Sequence, residues 1–315
     1  MTRTRSRALV SLFAVVSLFA TPVVAHVDYV TAGDGEYVNP LVFLLDVLGD
    51  PVNLSLLALG GGAAVVTVGG YRRFRPFARD LSVARRTLQS YRPYLPLMFR
   101  LSVGLPLVGA GFAGYLFTPS VPTSLRLFQV GLGFLLLFGL ATRWVGLVGL
   151  LAYLGVLAVA WPVPLLAFEY VGGFLGLALL GSGQPSADGM LRRLRVTEGT
   201  LLHEWGAGPD PLGRLVRRFD GPAFAGLAVR LSVGAQFVYL GVVQKLAQPG
   251  QALRVVDKYA LDSLLPVAPE LWVAGAGLTE AAVGVLLLTG TYTRTSAAVA
   301  FVLFTTTLFG LPDDP

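Results

Sequence analysis

The 315-residue chain contains no cysteine, two histidines (His26 and His203) and two lysines (Lys245 and Lys258). Without thiols it can form neither a disulfide, nor a dithiol redox pair, nor a thiolate metal site. Two imidazoles do not furnish a many-histidine centre, so no metal site is expected. Charge is scarce as well. Asp, Glu, Lys and Arg together make up 13% of the residues, about half the usual share in soluble proteins. Hydrophobic residues make up 54%, and mean hydropathy is +0.69. A soluble domain of this length has no interior large enough to hide so much apolar surface. The composition therefore predicts an all-α integral membrane protein. The formal net charge is +6, and nearly all of the basic charge is arginine, which calls first for an orientation argument rather than a nucleic-acid partner.

Residues 1–25 read as a signal peptide. Arg3, Arg5 and Arg7 precede an apolar run, and Val23-Val-Ala25 offers small residues at the cleavage positions. An uncleaved first span is the alternative. Either version places residues 26–51 outside the cell. The charge-free run 52–70 is long enough to cross a hydrocarbon core of about 30 Å. It delivers the chain to a loop, 71–94, holding Arg72, Arg73, Arg75, Arg79, Arg85, Arg86 and Arg92 with Asp80 as its one acid, which marks the cytoplasmic side. Further spans follow at 95–117, 124–141, 144–161 and 164–181. A polar cytoplasmic linker, 182–221, holds Arg192, Arg193, Arg195, Arg214, Arg217 and Arg218. The last spans are 222–243, 271–290 and 295–311. Both Arg-rich segments and the turns at Arg143 and Arg294 fall on the same side, as a multi-pass plasma-membrane protein with its mature N-terminus outside requires. Within the outer segment between the last long spans, 253–264 reads as an interfacial helix, with Leu253, Val256, Ala260 and Leu264 on one face. A solvated loop is the alternative.

The chain also repeats itself. Arg100-Leu-Ser-Val-Gly104 recurs as Arg230-Leu-Ser-Val-Gly234, and in that register Gly111 matches Gly241 and Pro119 matches Pro249. A second block, Gly133-x-Leu-Leu-Leu-x-Gly139-x-x-Thr-Arg143, recurs as Gly284-x-Leu-Leu-Leu-x-Gly290-x-x-Thr-Arg294. The expected fold class is thus two tandem four-helix bundles in the same orientation, 95–181 and 222–315, preceded by a signal segment and one extra span. The second copy lacks a counterpart of the last helix, its end at Pro312-Asp-Asp-Pro315 matching the outer turn before the fourth span of the first.

In the second copy, Arg230-x3-Gly234, Gly241-x3-Lys245, Pro249, Glu280 and Gly290-x3-Arg294 resemble the DoxX family of small four-helix membrane proteins. The resemblance covers the second copy well and the first more loosely. It implies a membrane subunit of a quinone-linked or oxidative-stress redox complex, with a soluble oxidoreductase subunit as partner. A quinone is the candidate ligand, and no other cofactor is expected on this chain. The first copy departs from the pattern: Tyr115 stands where Lys245 is, and Gln129 where Glu280 is. If those charges matter, the first copy is a scaffold and the second carries the activity.

Independently of the resemblance, Glu280 sits near the middle of its span, where an ionised carboxylate must be paired or protonated. Counting residues from the span ends puts Arg230 at nearly the same depth, which predicts an Arg230–Glu280 ion pair. Such a pair either fixes helix register, or binds a polar head group such as a quinone carbonyl or relays a proton. Lys245, beside Tyr239 and Gln244, either snorkels to the outer interface or attracts an anion. Gly234 and Gly241 allow close helix packing. Two other function classes remain open: a small-solute transporter, and a non-catalytic scaffold recruiting soluble partners through its Arg-rich loops. Whether the chain is an enzyme stays undecided. The lipid bilayer is a partner in every case, a homo-oligomer is an open alternative, and nucleic acid is not expected.

Overall fold

The computed structural model describes residues 37–204, 211–216, 220–264 and 267–310. The signal-peptide reading of 1–25 and the turn at 312–315 lie outside these. The described residues are helical, with an isolated bridge between Tyr115 and Pro122 and no strand. Five helices are long and apolar enough to cross a membrane, so the chain is an all-α, multi-pass membrane protein. By its internal contacts it divides into two compact units, one comprising 76–233, the other the residues up to Arg75 together with those from Gly234 onward.

The unit 76–233 holds α3 (Ala78–Ser90), α4 (Leu95–Ala113), α5 (Arg126–Phe138), α6 (Thr142–Val159), α7 (Glu169–Leu180) and α8 (Ala187–Val196). Short helices Leu201–Glu204 (α9) and Pro211–Val216 (α10) follow, and α11 (Gly221–Val238) begins in this unit. Glycines set the approach of α4 to α5. A Cβ on Gly104 would stand 3.0 Å from the Gly133 carbonyl oxygen, and one on Gly111 2.9 Å from the Val130 nitrogen. Backbone then meets backbone, the usual solution where lipid provides no hydrophobic drive for helix association. Phe117, Tyr153, Tyr170 and Phe174 form an edge-to-face and stacked aromatic core over Leu107, Leu136 and Leu177, and the Tyr153 hydroxyl donates to the Pro164 carbonyl.

Arg100 is only 3% exposed in this apolar setting. Its guanidinium donates to four carbonyls: Leu136 at 2.8 Å, Leu137 at 2.6 Å, Ser182 at 2.8 Å and Pro185 at 2.6 Å. Two of these close the C-terminus of α5, where carbonyls lack helical partners and the helix dipole favours a cation. Arg143 does the same for α7, donating to Ala178 at 2.6 Å and Leu179 at 2.7 Å. The Asp188 carboxylate accepts from the Ala141 and Thr142 nitrogens and so caps α6.

Two expected spans are shorter in the structure. The stretch 124–141 yields the 13-residue α5, because Gly139 turns into the left-handed region at φ +68° and ends the helix. The stretch 164–181 opens as a 3-10 turn, Val163–Ala167, before the 12-residue α7. At 1.5 Å per residue each spans roughly 20 Å. The Arg-rich loop is not irregular either: it winds into α3, whose side chains are exposed.

The other unit contains α1 (Pro40–Gly49), α2 (Pro51–Phe74), a nine-residue π-helical segment (Tyr239–Ala247), α12 (Pro249–Lys258), α13 (Leu261–Leu264), α14 (Pro269–Thr289) and α15 (Thr293–Gly310). Asn39 and Asp50 cap α1 and α2, each followed by proline at the first helical position. Phe43, Val47, Val256, Val273 and Ala274 make a core between α1, α12 and α14, with Leu57 of α2 and Leu253 packed on it. Otherwise α2 has its side chains largely exposed, and its last turn places Arg72 5.1 Å from the Tyr292 ring centre. The segment 253–264 is thus helical, not a solvated loop. It starts earlier, at Pro249, is interrupted at Ala260 with φ +46°, and turns its apolar face onto α1 and α14.

Candidate functional site

The π segment and α14 touch along glycines. A Cβ on Gly241 would lie 2.5 Å from the Gly277 carbonyl oxygen and 3.1 Å from the Glu280 Cβ, and one on Gly284 2.7 Å from the Gly234 carbonyl oxygen. That close approach lets the Lys245 stem reach across one turn. The Lys245 ammonium donates to the Glu280 carboxylate at 2.7 Å, with the side chains 25% and 18% exposed. A partly buried carboxylate in a membrane segment is costly alone, and the pair answers both charges at once.

The sequence predicted Arg230 as the partner of Glu280. The partner is Lys245 instead, and the reason is register. Glu280 lies level with Gly241, four residues before Lys245 on the same helix. Counting from span ends does not give the offset between two antiparallel helices, which the contacts of Gly234 with Gly284 and of Gly241 with Gly277 set. The Arg230 Nε is buried with no hydrogen-bond partner among the described residues.

A π-helix places residues five apart above one another, and it is rare enough to mark functional sites when it occurs. Here it brings the Gln244 Nε2 within 3.2 Å of the Tyr239 hydroxyl, to which it donates. Both side chains are buried. Among the described residues the Gln244 Oε1 has no partner, nor do the Gln251 Oε1 on α12 and the Trp272 Nε1 on α14, and these three elements pack pairwise on one another. Neither the π segment nor the roles of Gln251 and Trp272 were foreseen. Their signal in the sequence is only a polar residue at an apolar helix position. In the unit 76–233, Gln129 is fully buried with both amide atoms unpartnered.

Of the other pattern residues, Pro249 is buried and opens α12, and Gly290 takes φ +74° to close α14. Arg294 is exposed in the first turn of α15. Among the described residues no group of three His, Asp or Glu is placed to hold a metal ion.

No curated protein and no solved structure matches the chain. Residues 225–311 match the DoxX family, a stretch that holds the Lys245–Glu280 pair, Tyr239 and Gln244. The chain is a multi-pass membrane protein with a DoxX-like segment at 225–311.

Proposed function

We propose that the chain is a DoxX-like membrane subunit of a quinone-linked or oxidative-stress redox complex, and that Lys245, Glu280, Tyr239 and Gln244 form its intramembrane site. The observation that carries this reading is the ion pair of Lys245 on the same π segment as an acceptor, the Gln244 Oε1, that has no partner among the described residues. A buried polar atom left unpaired costs about 1–3 kcal/mol, a cost that a ligand hydrogen bond removes. The polar atoms fit a quinone head. Lys245 retains two ammonium hydrogens and Tyr239 its hydroxyl hydrogen for carbonyl oxygens, while Gln244 offers an acceptor for a quinol hydroxyl. A bound quinone would supply a two-electron, two-proton acceptor. Glu280 holds the ammonium in place, and its carboxylate is the group able to accept a proton from it.

Two tandem bundles of like orientation are part of this reading. It is supported by helix contacts that recur in the repeat register: Gly104 on Gly133 and Gly111 on Val130 in one unit, Gly234 on Gly284 and Gly241 on Ala281 in the other. Ala141 and Tyr292, matched residues, both sit in the left-handed region, at φ 50° and 49°. In the first copy Gln129, an uncharged residue, takes the place of Glu280, so in this reading that bundle acts as scaffold.

Purification of the tagged chain from membranes in mild detergent, followed by assay of quinone reduction, tests the proposal. A soluble oxidoreductase that copurifies and reduces quinone is the expected outcome. Uptake of a solute by liposomes carrying the chain alone points to a transporter, and partners devoid of redox cofactors point to a scaffold.

A further inference from the structure

We propose a second binding site, distinct from the ion pair, for an organic ammonium ion with an apolar body. A cavity of about 400 Å³ opens between α1, the first turn of α2, α12 and the start of α14. Phe43 and Val47 floor it, and Asp46, Asp50 and Glu270 supply three carboxylates to its wall. Among the described residues no basic side chain lines it. None of the three acids is ion-paired within the described residues. One oxygen of Asp50 accepts from the Val52 nitrogen at 2.7 Å as a helix cap. Asp46 and Asp50 stand four apart on the border of α1, a spacing at which like charges repel. Arg254 and Asp257 border a smaller adjoining cleft and leave this wall acidic.

The second observation is Asn53. It lines the same cavity, is only 7% exposed, and its side chain makes no hydrogen bond within the described residues. It is the one buried residue of the 24 in α2. Asn53 is a polar lining residue, and its amide is a hydrogen-bonding group open to a ligand in this cavity. A bare metal ion does not fit, because the acids are not gathered closely enough to ligate one. An apolar floor with an acidic rim instead suits a primary or quaternary ammonium carrying a short hydrocarbon part. The volume lies in the range of small-molecule sites. Two sources share that chemistry, a free alkylamine and the ammonium head of a zwitterionic lipid.

The test is titration of the full chain, purified in maltoside detergent, with hexylammonium, read as thermal stabilisation, with hexanol as the uncharged control. Hexylammonium is expected to raise Tm saturably and hexanol not to. The affinity should fall about tenfold in the Asp46→Asn/Glu270→Gln variant, which leaves the Asp50 cap intact. The wild-type titration repeated at rising salt gives a readout independent of that variant's folding: affinity should fall as screening grows. Equal effects of hexanol and hexylammonium, or an affinity indifferent to salt, would overturn the proposal. Repeating the titration in nanodiscs, with and without phosphatidylethanolamine, assigns the source. Competition by that lipid identifies the head group as the occupant, and undiminished hexylammonium binding identifies a free amine.

Discussion

At the scale of single residues, a membrane segment must neutralise or satisfy any charge it carries. Lys245 and Glu280 are each mostly buried and answer one another at 2.7 Å. Lys245→Met strands a carboxylate, and a loss of about 3 kcal/mol is expected. Adding Glu280→Leu to it should restore most of that loss, because an apolar pair of similar volume has no charge to desolvate. Unfolding of the three variants in detergent, compared as a double-mutant cycle, checks both parts. Arg100 shows the other solution: four carbonyl acceptors hold its buried guanidinium, with no salt bridge to an acid among the described residues. The candidate site residues were readable from sequence because polar side chains stand out in apolar runs. Their partners were not. Pairing depends on register between helices, and register is set by which glycines meet, not by distance from a span end.

At the scale of helices, length and apolarity marked the position of every long span, since a bilayer demands continuous apolar runs. What composition did not reveal was where backbone geometry changes inside a run. The π segment at Tyr239–Ala247, the early stop of α5 at Gly139 and the interruption of the outer helix at Ala260 depend on contacts and φ values that no window average contains. The glycines give a direct test of this scale. A methyl group at Gly241 would collide with the backbone of α14, whereas nothing lies within 4 Å of a Cβ at Gly61 in α2. Gly241→Ala should therefore lower Tm and weaken the Lys245–Glu280 contact. Gly61→Ala should leave Tm unchanged or raise it slightly, since alanine is favoured over glycine in a helix by about 1 kcal/mol. Thermal unfolding of both variants in the same detergent decides the matter.

At the scale of the whole molecule, the five membrane-length helices and the DoxX-like segment establish the class of protein, and the arginine distribution supplies the proposed orientation. Single cysteines introduced at Ser82 and Thr200, into a chain that has none of its own, should both be shielded from an impermeant maleimide in intact cells and labelled after lysis. The functional claim is that the copy holding the Lys245–Glu280 pair carries the quinone site and the other copy does not. It is tested most directly by titrating a short-chain quinone against the purified chain and following tryptophan quenching in three proteins. Binding should persist in wild type and in Gln129→Leu, and disappear in Lys245→Met/Glu280→Leu while that variant remains folded. Undiminished binding in the last variant would contradict the account.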